Sequence, residues 1–365
     1  MKTTQIIFVG GFLGAGKTSL LWEAAQCLMG KGLHVGLITN DQAPELVDTV
    51  LLAQDGLKVS EVSGSCFCCN FDGLTDAIQK VRSAAAADII IAEPVGSCTD
   101  LSATIMQPLK QHWNSELQIA PLSVLADPAR LMPILDGDTA GLHPDAAYIF
   151  RKQLEESDII LISKSDTLTP AEMEALIERT RAAYPSSAVM PVSAVSGDGI
   201  INWLEELAKS NGAGMRIVPV DYDIYANGEA VLGWLNGTVQ LHGESVDWNA
   251  LVRNLMTNLG KRFDAAGYAV GHVKAILENG DKFIVGNITG KADTLSLRGA
   301  AGTSNEAKLT VNARVETTPE MLDEIVRDEI QKAVEGCCDI KVLAWRFLQP
   351  GRPTPTHRFT EVVNI

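Results

Sequence analysis

Through its first two hundred residues the chain repeats one alternation. A short, mostly apolar run is followed by a break rich in Gly, Pro or Asn/Asp, then by a longer stretch with apolar residues every three or four positions. The short runs at 6–9, 35–39, 59–63, 88–92, 122–127, 159–163 and 189–193 read as strands. The nearly continuous apolar runs among them, as at 6–9, 88–92 and 159–163, predict strands buried on both faces, as in a parallel sheet. The longer stretches at 19–28, 72–87, 101–112, 150–156, 170–183 and 200–209 read as helices, the fifth with Pro170 at its start. Strands alternating with helices predict an α/β fold: a mostly parallel sheet covered on both sides.

The pattern changes after Ser210-Asn211-Gly212-Ala213-Gly214, a small, polar run. Strand-like segments follow at 231–241, 269–277, 282–288, 310–316 and 340–348, and helices at 246–266 and 319–334. The turn between the second and third of these strands falls at Glu278-Asn279-Gly280-Asp281. Residues 291–305, rich in Gly, Ala and Ser, are expected to form a loop. The predicted layout is an α/β domain over 1–212, a linker over 213–228, a smaller α+β domain of split β-α-β type over 229–350, and an extended tail over 351–365. No internal repeat or low-complexity tract is visible.

Composition narrows the function. The net charge of −15 argues against a phosphate-neutralising surface for nucleic acid and against docking on anionic lipid. No apolar run approaches the length of a membrane span, and the start does not read as a signal peptide, so a cytoplasmic, reducing setting is expected. There, seven cysteines serve as ligands, reactive thiols or buried small side chains rather than disulfides. Cys66, Cys68 and Cys69 cluster, Cys337 and Cys338 are adjacent, and Cys27 and Cys98 stand alone.

The strongest signal is Gly11-Phe12-Leu13-Gly14-Ala15-Gly16-Lys17-Thr18, which matches G-x-x-x-x-G-K-[ST] between a predicted strand and a predicted helix and makes 1–212 a predicted P-loop NTPase domain. Glycines at 11, 14 and 16 let backbone N–H groups approach a polyphosphate. Lys17 is expected on the β/γ-phosphates and Thr18 on Mg²⁺, with Ala15 and Ser19 completing the cradle. Ser163-Lys164-Ser165-Asp166 closes a later strand and fits guanine readout, an Asp carboxylate accepting from N1–H and the exocyclic amine. Ser163 stands where Asn is usual, Lys164 would lie along the base, and Ser193-Ala194 would form a second wall. Glu93, at a strand end before Pro94-Val95-Gly96, is expected to serve the Mg²⁺ shell or orient the attacking water, with the Gly96 N–H near the γ-phosphate. Asp41 is the candidate for a further Mg²⁺ contact, and Asp48 its alternative. Three thiols in four residues, Cys66, Cys68 and Cys69, suit a thiophilic divalent ion, with a fourth ligand that a second copy of the chain could supply.

Taken together, Gly11 to Thr18, Cys66-Phe67-Cys68-Cys69, Glu93 to Gly96 and Ser163 to Asp166 resemble the CobW-like GTPases, relatives of the nickel-inserting accessory GTPases. The resemblance implies a GTP-dependent metallochaperone that hydrolyses GTP. It would carry Zn²⁺ or Co²⁺, ahead of Ni²⁺, at the Cys-x-Cys-Cys element to a client metalloenzyme or a corrinoid protein of a cobalamin pathway, and could work as a homodimer. Two departures stand out: the six histidines are scattered rather than gathered, and Asp41-Gln42-Ala43-Pro44 replaces the usual Glu-Phe-Gly continuation. A conformational activator with structural cysteines, or a P-loop small-molecule kinase, are the competing expectations. The basic tail Arg352 to Arg358 is open to a partner contact or to solvent.

Overall fold

The computed structural model describes residues 3–41, 58–209, 212–291 and 294–364; Asp48 lies outside them. Two compact units emerge. One comprises the described residues through Gly228 together with those from Arg352 onward, and the other Glu229–Gly351.

The first unit runs β1 (Thr4–Gly11), α1 (Lys17–Gly30), β2 (Val35–Asp41), β3 (Lys58–Ser63), α2 (Phe71–Ala85), β4 (Ile89–Glu93), α3 (Gln107–Trp113), β5 (Leu117–Ile119), β6 (Ser123–Ala126), α4 (Pro128–Leu135), α5 (Pro144–Glu156), β7 (Ile159–Ile162), α6 (Pro170–Ala183), β8 (Ala188–Pro191), α7 (Ile200–Lys209) and α8 (Tyr222–Ala230). A π-helical turn over Ser102–Met106 leads into α3. The strands lie in the order β3-β2-β4-β1-β6-β7-β8, with β5 paired to the start of β1, and every pairing is parallel. All carboxyl ends therefore point to one edge, where open α/β sheets take their ligands. The apolar runs of the central strands β1, β4, β6 and β7 are buried, as at Ile6, Phe8, Val9, Ile90, Ile91 and Ile160. Covering both faces of such strands withdraws about 1.5–3 kcal/mol of apolar surface per large side chain from water. No helix among the described residues is long and apolar enough to cross a membrane.

The second unit continues with β9 (Gly233–Asp247), α9 (Trp248–Ala266), β10 (Val270–Asn279), β11 (Lys282–Ile288), β12 (Ser296–Gly299), β13 (Thr303–Val315), α10 (Pro319–Val334) and β14 (Asp339–Leu348). Its sheet order is β12-β11-β10-β13-β9-β14, antiparallel throughout. Strands β14, β9, β13 and β10 with the two helices form the split β-α-β arrangement. Leu251, Leu255, Leu259 and Phe263 of α9, with Leu322, Val326 and Ile330 of α10, make the core with Val273, Leu277 and Val311.

Three expectations need correction. Residues 291–305 are not all loop: β12 pairs with β11 at the sheet edge, and β13 begins at Thr303. There cross-strand hydrogen bonding overrides a Gly- and Ser-rich composition. The expected linker over 213–228 belongs to the first unit, because its backbone finds acceptors there. Gly214 and Met215 N–H donate to the Asp158 carboxylate at 2.5 and 3.0 Å, and Asp221 N–H to Tyr148 Oη at 2.7 Å. The tail likewise returns to the first unit.

Candidate nucleotide and metal site

At the end of β1, Gly11 has φ 130°, and a Cβ there would lie 2.5 Å from the Leu125 carbonyl oxygen, so a side chain is excluded. Gly16 has φ 93° and directly precedes α1, whose first turn carries neither a capping side chain nor an acidic residue. Backbone N–H groups and the positive helix end thus make a setting for an anion. Lys17 is buried, donates from Nζ to the Gly11 carbonyl at 2.8 Å, and stands 3.8 Å from Glu93 Oε1. Thr18 Oγ1 donates to Glu93 Oε2 at 3.2 Å. Ala15 is buried beneath the loop and Ser19 exposed on the helix. The hydroxyl and carboxylate of Thr18 and Glu93 are hard oxygen donors of the kind Mg²⁺ takes. Asp41 closes β2, and its side chain lies outside the described ones.

From Glu93 the chain turns past Gly96, where a Cβ would come within 2.8 Å of Leu13 Cδ2 and 3.0 Å of Lys17 Nζ. Gly96 is therefore wedged against the phosphate loop. Gln153, fully buried on α5, donates to the carbonyls of Gly96 and Cys98 at 3.0 and 2.8 Å and fixes this turn. Glu156, one helical turn on, accepts from Thr99 Oγ1, Asp100 N–H and Ser102 N–H at 2.8–3.0 Å. Complete burial nevertheless pushes its pKa up to about 8.

The cysteines occupy the loop between β3 and α2. Cys66 Sγ lies 3.1 Å from Cys68 Sγ, Cys68 Sγ lies 3.8 Å from Cys69 Sγ, and the three sulfurs fall within 4.8 Å of one another. Cys98, buried just past Gly96, hydrogen-bonds both Cys66 and Cys68. Thiol protons from Cys68, Cys69 and Cys98 directed at Cys66 hold its pKa well below the usual thiol range, against the effect of burial. As donors to Cys66, Cys68 is pushed well above that range and Cys69 up to about 11. Asn40 on β2 shapes the loop: its amide donates to the carbonyls of Val62 and Ser65, both at 2.9 Å, and accepts from Phe67 N–H at 2.8 Å. Asn70 then caps α2 by accepting from Gly73 N–H.

At the ends of β6, β7 and β8 a third cluster forms. Lys164, in the left-handed region at φ 52°, pairs from Nζ with Asp127 Oδ2 at 2.5 Å. Asp166 Oδ1 accepts from Ser193 Oγ at 2.5 Å, and Ser193 Oγ accepts from the Val195 and Ser196 amides. The buried Ser163 lies beneath, its N–H bonded to the Ala126 carbonyl, and Ala194 is half-buried beside Ser193. The sheet edge thus gathers the phosphate loop, Glu93, Gly96 and the cysteines on one side and Lys164, Asp166 and Ser193 on the other.

Sequence reasoning missed Asn40 and Asp127 as parts of this edge and favoured plain burial for Cys98. Asp127 could have been suspected as the polar residue ending an apolar strand; the closeness of Cys98 to Gly96 in sequence was its one local signal. Cys27 packs on the core at α1. In the second unit, Cys337 and Cys338 place their sulfurs 3.5 Å apart.

A family model described as the CobW/HypB/UreG nucleotide-binding domain matches residues 5–191, just over half of the chain. The zinc chaperone YeiR of Escherichia coli (strain K12) is 28% identical over 177 residues, 47% of this chain and 50% of that protein. The chain thus spans about half the length of the curated relative it matches. Among solved structures, HypB from Helicobacter pylori in complex with nickel is 16% identical at a TM-score of 0.43, covering 57% of this chain and 88% of that one. The Zn(II)-bound YjiA GTPase of E. coli is 17% identical at a TM-score of 0.37, covering 92% and 100%.

Proposed function

Because the chain belongs to the CobW/HypB/UreG family of nucleotide-binding domains, we propose that it is a GTPase whose nucleotide state governs a thiol-held metal ion. The observation carrying this reading is the short segment from Glu93 to Cys98. Its carboxylate contacts Thr18 and Lys17, its Gly96 abuts Lys17, and its Cys98 hydrogen-bonds Cys66 and Cys68. A displacement of Lys17 toward a γ-phosphate would be felt at the Cys98 thiol, five residues along the chain from Glu93, and through it at Cys66 and Cys68.

In this reading Lys17 and the loop amides hold the β/γ-phosphates, Asp166 selects guanine, Lys164 flanks the base, and Ser193 and Ala194 wall its pocket. Glu93 accepts a hydrogen bond from the attacking water. Thr18 and Glu93, with Asp41, would hold Mg²⁺, which neutralises phosphate charge. Cys66, Cys68 and Cys69 bind the cargo, Zn²⁺ or Co²⁺ ahead of Ni²⁺, and Cys98 offers a fourth soft donor from within the chain. The cargo passes to a client metalloenzyme or corrinoid protein in the cytoplasm, with a homodimer as the working form. The zinc chaperone among the relatives supports zinc as the first metal to try.

The test is Zn²⁺ affinity, by chelator competition, of chain loaded with a non-hydrolysable GTP analogue or with GDP. A difference of tenfold or more is expected, with tight binding lost when Cys66, Cys68 and Cys69 are all replaced by Ser. Equal affinities in the two nucleotide states would defeat the coupling.

A further inference from the structure

The thiol loop has a neighbour from the far end of the chain. Thr354 N–H donates to Cys69 Sγ at 3.2 Å, and Thr356 N–H to the Cys68 carbonyl at 2.8 Å. The ring of His357 stands edge-on to Phe71, centroids 5.0 Å apart. Two residues beyond Thr356, Arg358 Nε pairs with Asp100 Oδ2 at 2.7 Å, and Phe359 N–H donates to the Ala103 carbonyl at 3.0 Å. Tail backbone and thiol loop are thus joined at the sulfur itself.

Two features make this a built contact rather than a resting terminus. Thr354 lies between Pro353 and Pro355, which fix their own φ and disfavour the helical region for the residues before them. The segment is extended before it docks, so docking costs little chain entropy. Its anchor is buried: Asp100 is 1% exposed, sits in the left-handed region at φ 67°, and receives the Tyr222 hydroxyl at 2.8 Å besides Arg358. A non-glycine residue held at such a φ is over-determined by its surroundings, as sites under functional constraint are.

We propose that the tail is part of the metal site: the Thr354 N–H is the outer hydrogen-bond donor to the Cys69 sulfur, and Arg358 is the positioning residue that holds it there through Asp100. The inference rests on the reading of Cys66, Cys68 and Cys69 as the metal ligands. An N–H···S bond stabilises the thiolate, steadies its direction and lowers its donation to the ion. The tail also covers Cys69, the one half-buried thiol of the three. Cargo exchange with a partner thiol then requires the tail to lift.

The test uses the full chain in two variants. Arg358→Ala removes the anchor, and Thr354→Pro removes the N–H while leaving the anchor in place. With Co²⁺ as the probe, both should shift the thiolate-to-cobalt absorption band and weaken Co²⁺ binding about tenfold, the low end of what outer hydrogen-bond partners of metal ligands contribute. Arg358→Lys should restore most of the loss. In the metal-free chain, a thiol reagent should label Cys69 about tenfold faster in Arg358→Ala, which frees the tail, and no faster in Thr354→Pro, whose anchor keeps the tail over the sulfur. Should Arg358→Ala melt early, Thr354→Pro decides alone. An unmoved band with affinity and labelling rate within threefold of the unaltered chain would overturn the proposal. Absence of any thiolate-to-cobalt band in the unaltered chain would instead sink the metal reading, leaving the labelling rates to judge the hold of the tail on Cys69.

Discussion

Asn40→Ala is the sharpest perturbation of the thiol site that touches no thiol. Asn40 is buried, and its side-chain amide makes three hydrogen bonds, two to carbonyls of Val62 and Ser65 and one from Phe67 N–H. At about 1 kcal/mol net for each, their loss removes about 3 kcal/mol from the ordering of the loop. If binding of the ion must restore that order, affinity falls by about 100-fold, since 1.4 kcal/mol is a factor of ten. Chelator competition with Zn²⁺ reads this directly, and fluorescent guanine-nucleotide binding on the same sample serves as the control, since the Asn40 amide bonds the thiol loop at Val62, Ser65 and Phe67. Asn40→Asp should rescue little: it keeps an acceptor for Phe67 N–H but turns two donors into acceptors facing carbonyl oxygens. Zn²⁺ affinity within threefold of the unaltered chain, with the alanine variant folded, would refute the claim that Asn40 shapes the metal site.

Three further outcomes follow from the same edge. Lys17→Ala should lower GTP turnover at least 100-fold in a phosphate-release assay, as expected for loss of a preorganised charge at the transferred phosphate; normal turnover would discredit the phosphate-loop assignment. Asp166→Ala should erode the preference for GTP over ATP by about 100-fold in competitive binding, because both guanine donors lose their acceptor. Glu156, with its pKa raised to about 8, sets a pH dependence of stability. Between the ordinary carboxylate value of about 4.5 and about 8 the folded chain holds a proton that the unfolded chain releases, so stability falls as pH rises through that window. Glu156 alone contributes a slope of up to about 1.4 kcal/mol per pH unit in denaturant titrations, and Glu156→Gln should flatten it.

The sequence by itself determined what lies within a few contiguous residues. Gly11 to Thr18 between an apolar strand and a helix fixes a phosphate loop, because left-handed glycines and a helix start are local demands of the backbone. The family that the motifs resemble is the one whose model matches residues 5–191. Both fold classes were likewise legible, since buried parallel strands and alternating antiparallel ones leave different apolar periods. The edge strand β12, the short α8 and the destination of the tail were not, because their hydrogen-bond partners, rather than their composition, decide their shape. The thiol cluster divides along the same line. Cys66, Cys68 and Cys69 announce themselves by spacing, whereas Asn40 holds their loop from β2, Cys98 meets Cys66 and Cys68, and Thr354 reaches Cys69 from 285 residues away in sequence. Only tertiary structure could join them: parallel strands bring their carboxyl ends to one edge, and no period along the chain records which side chains meet there.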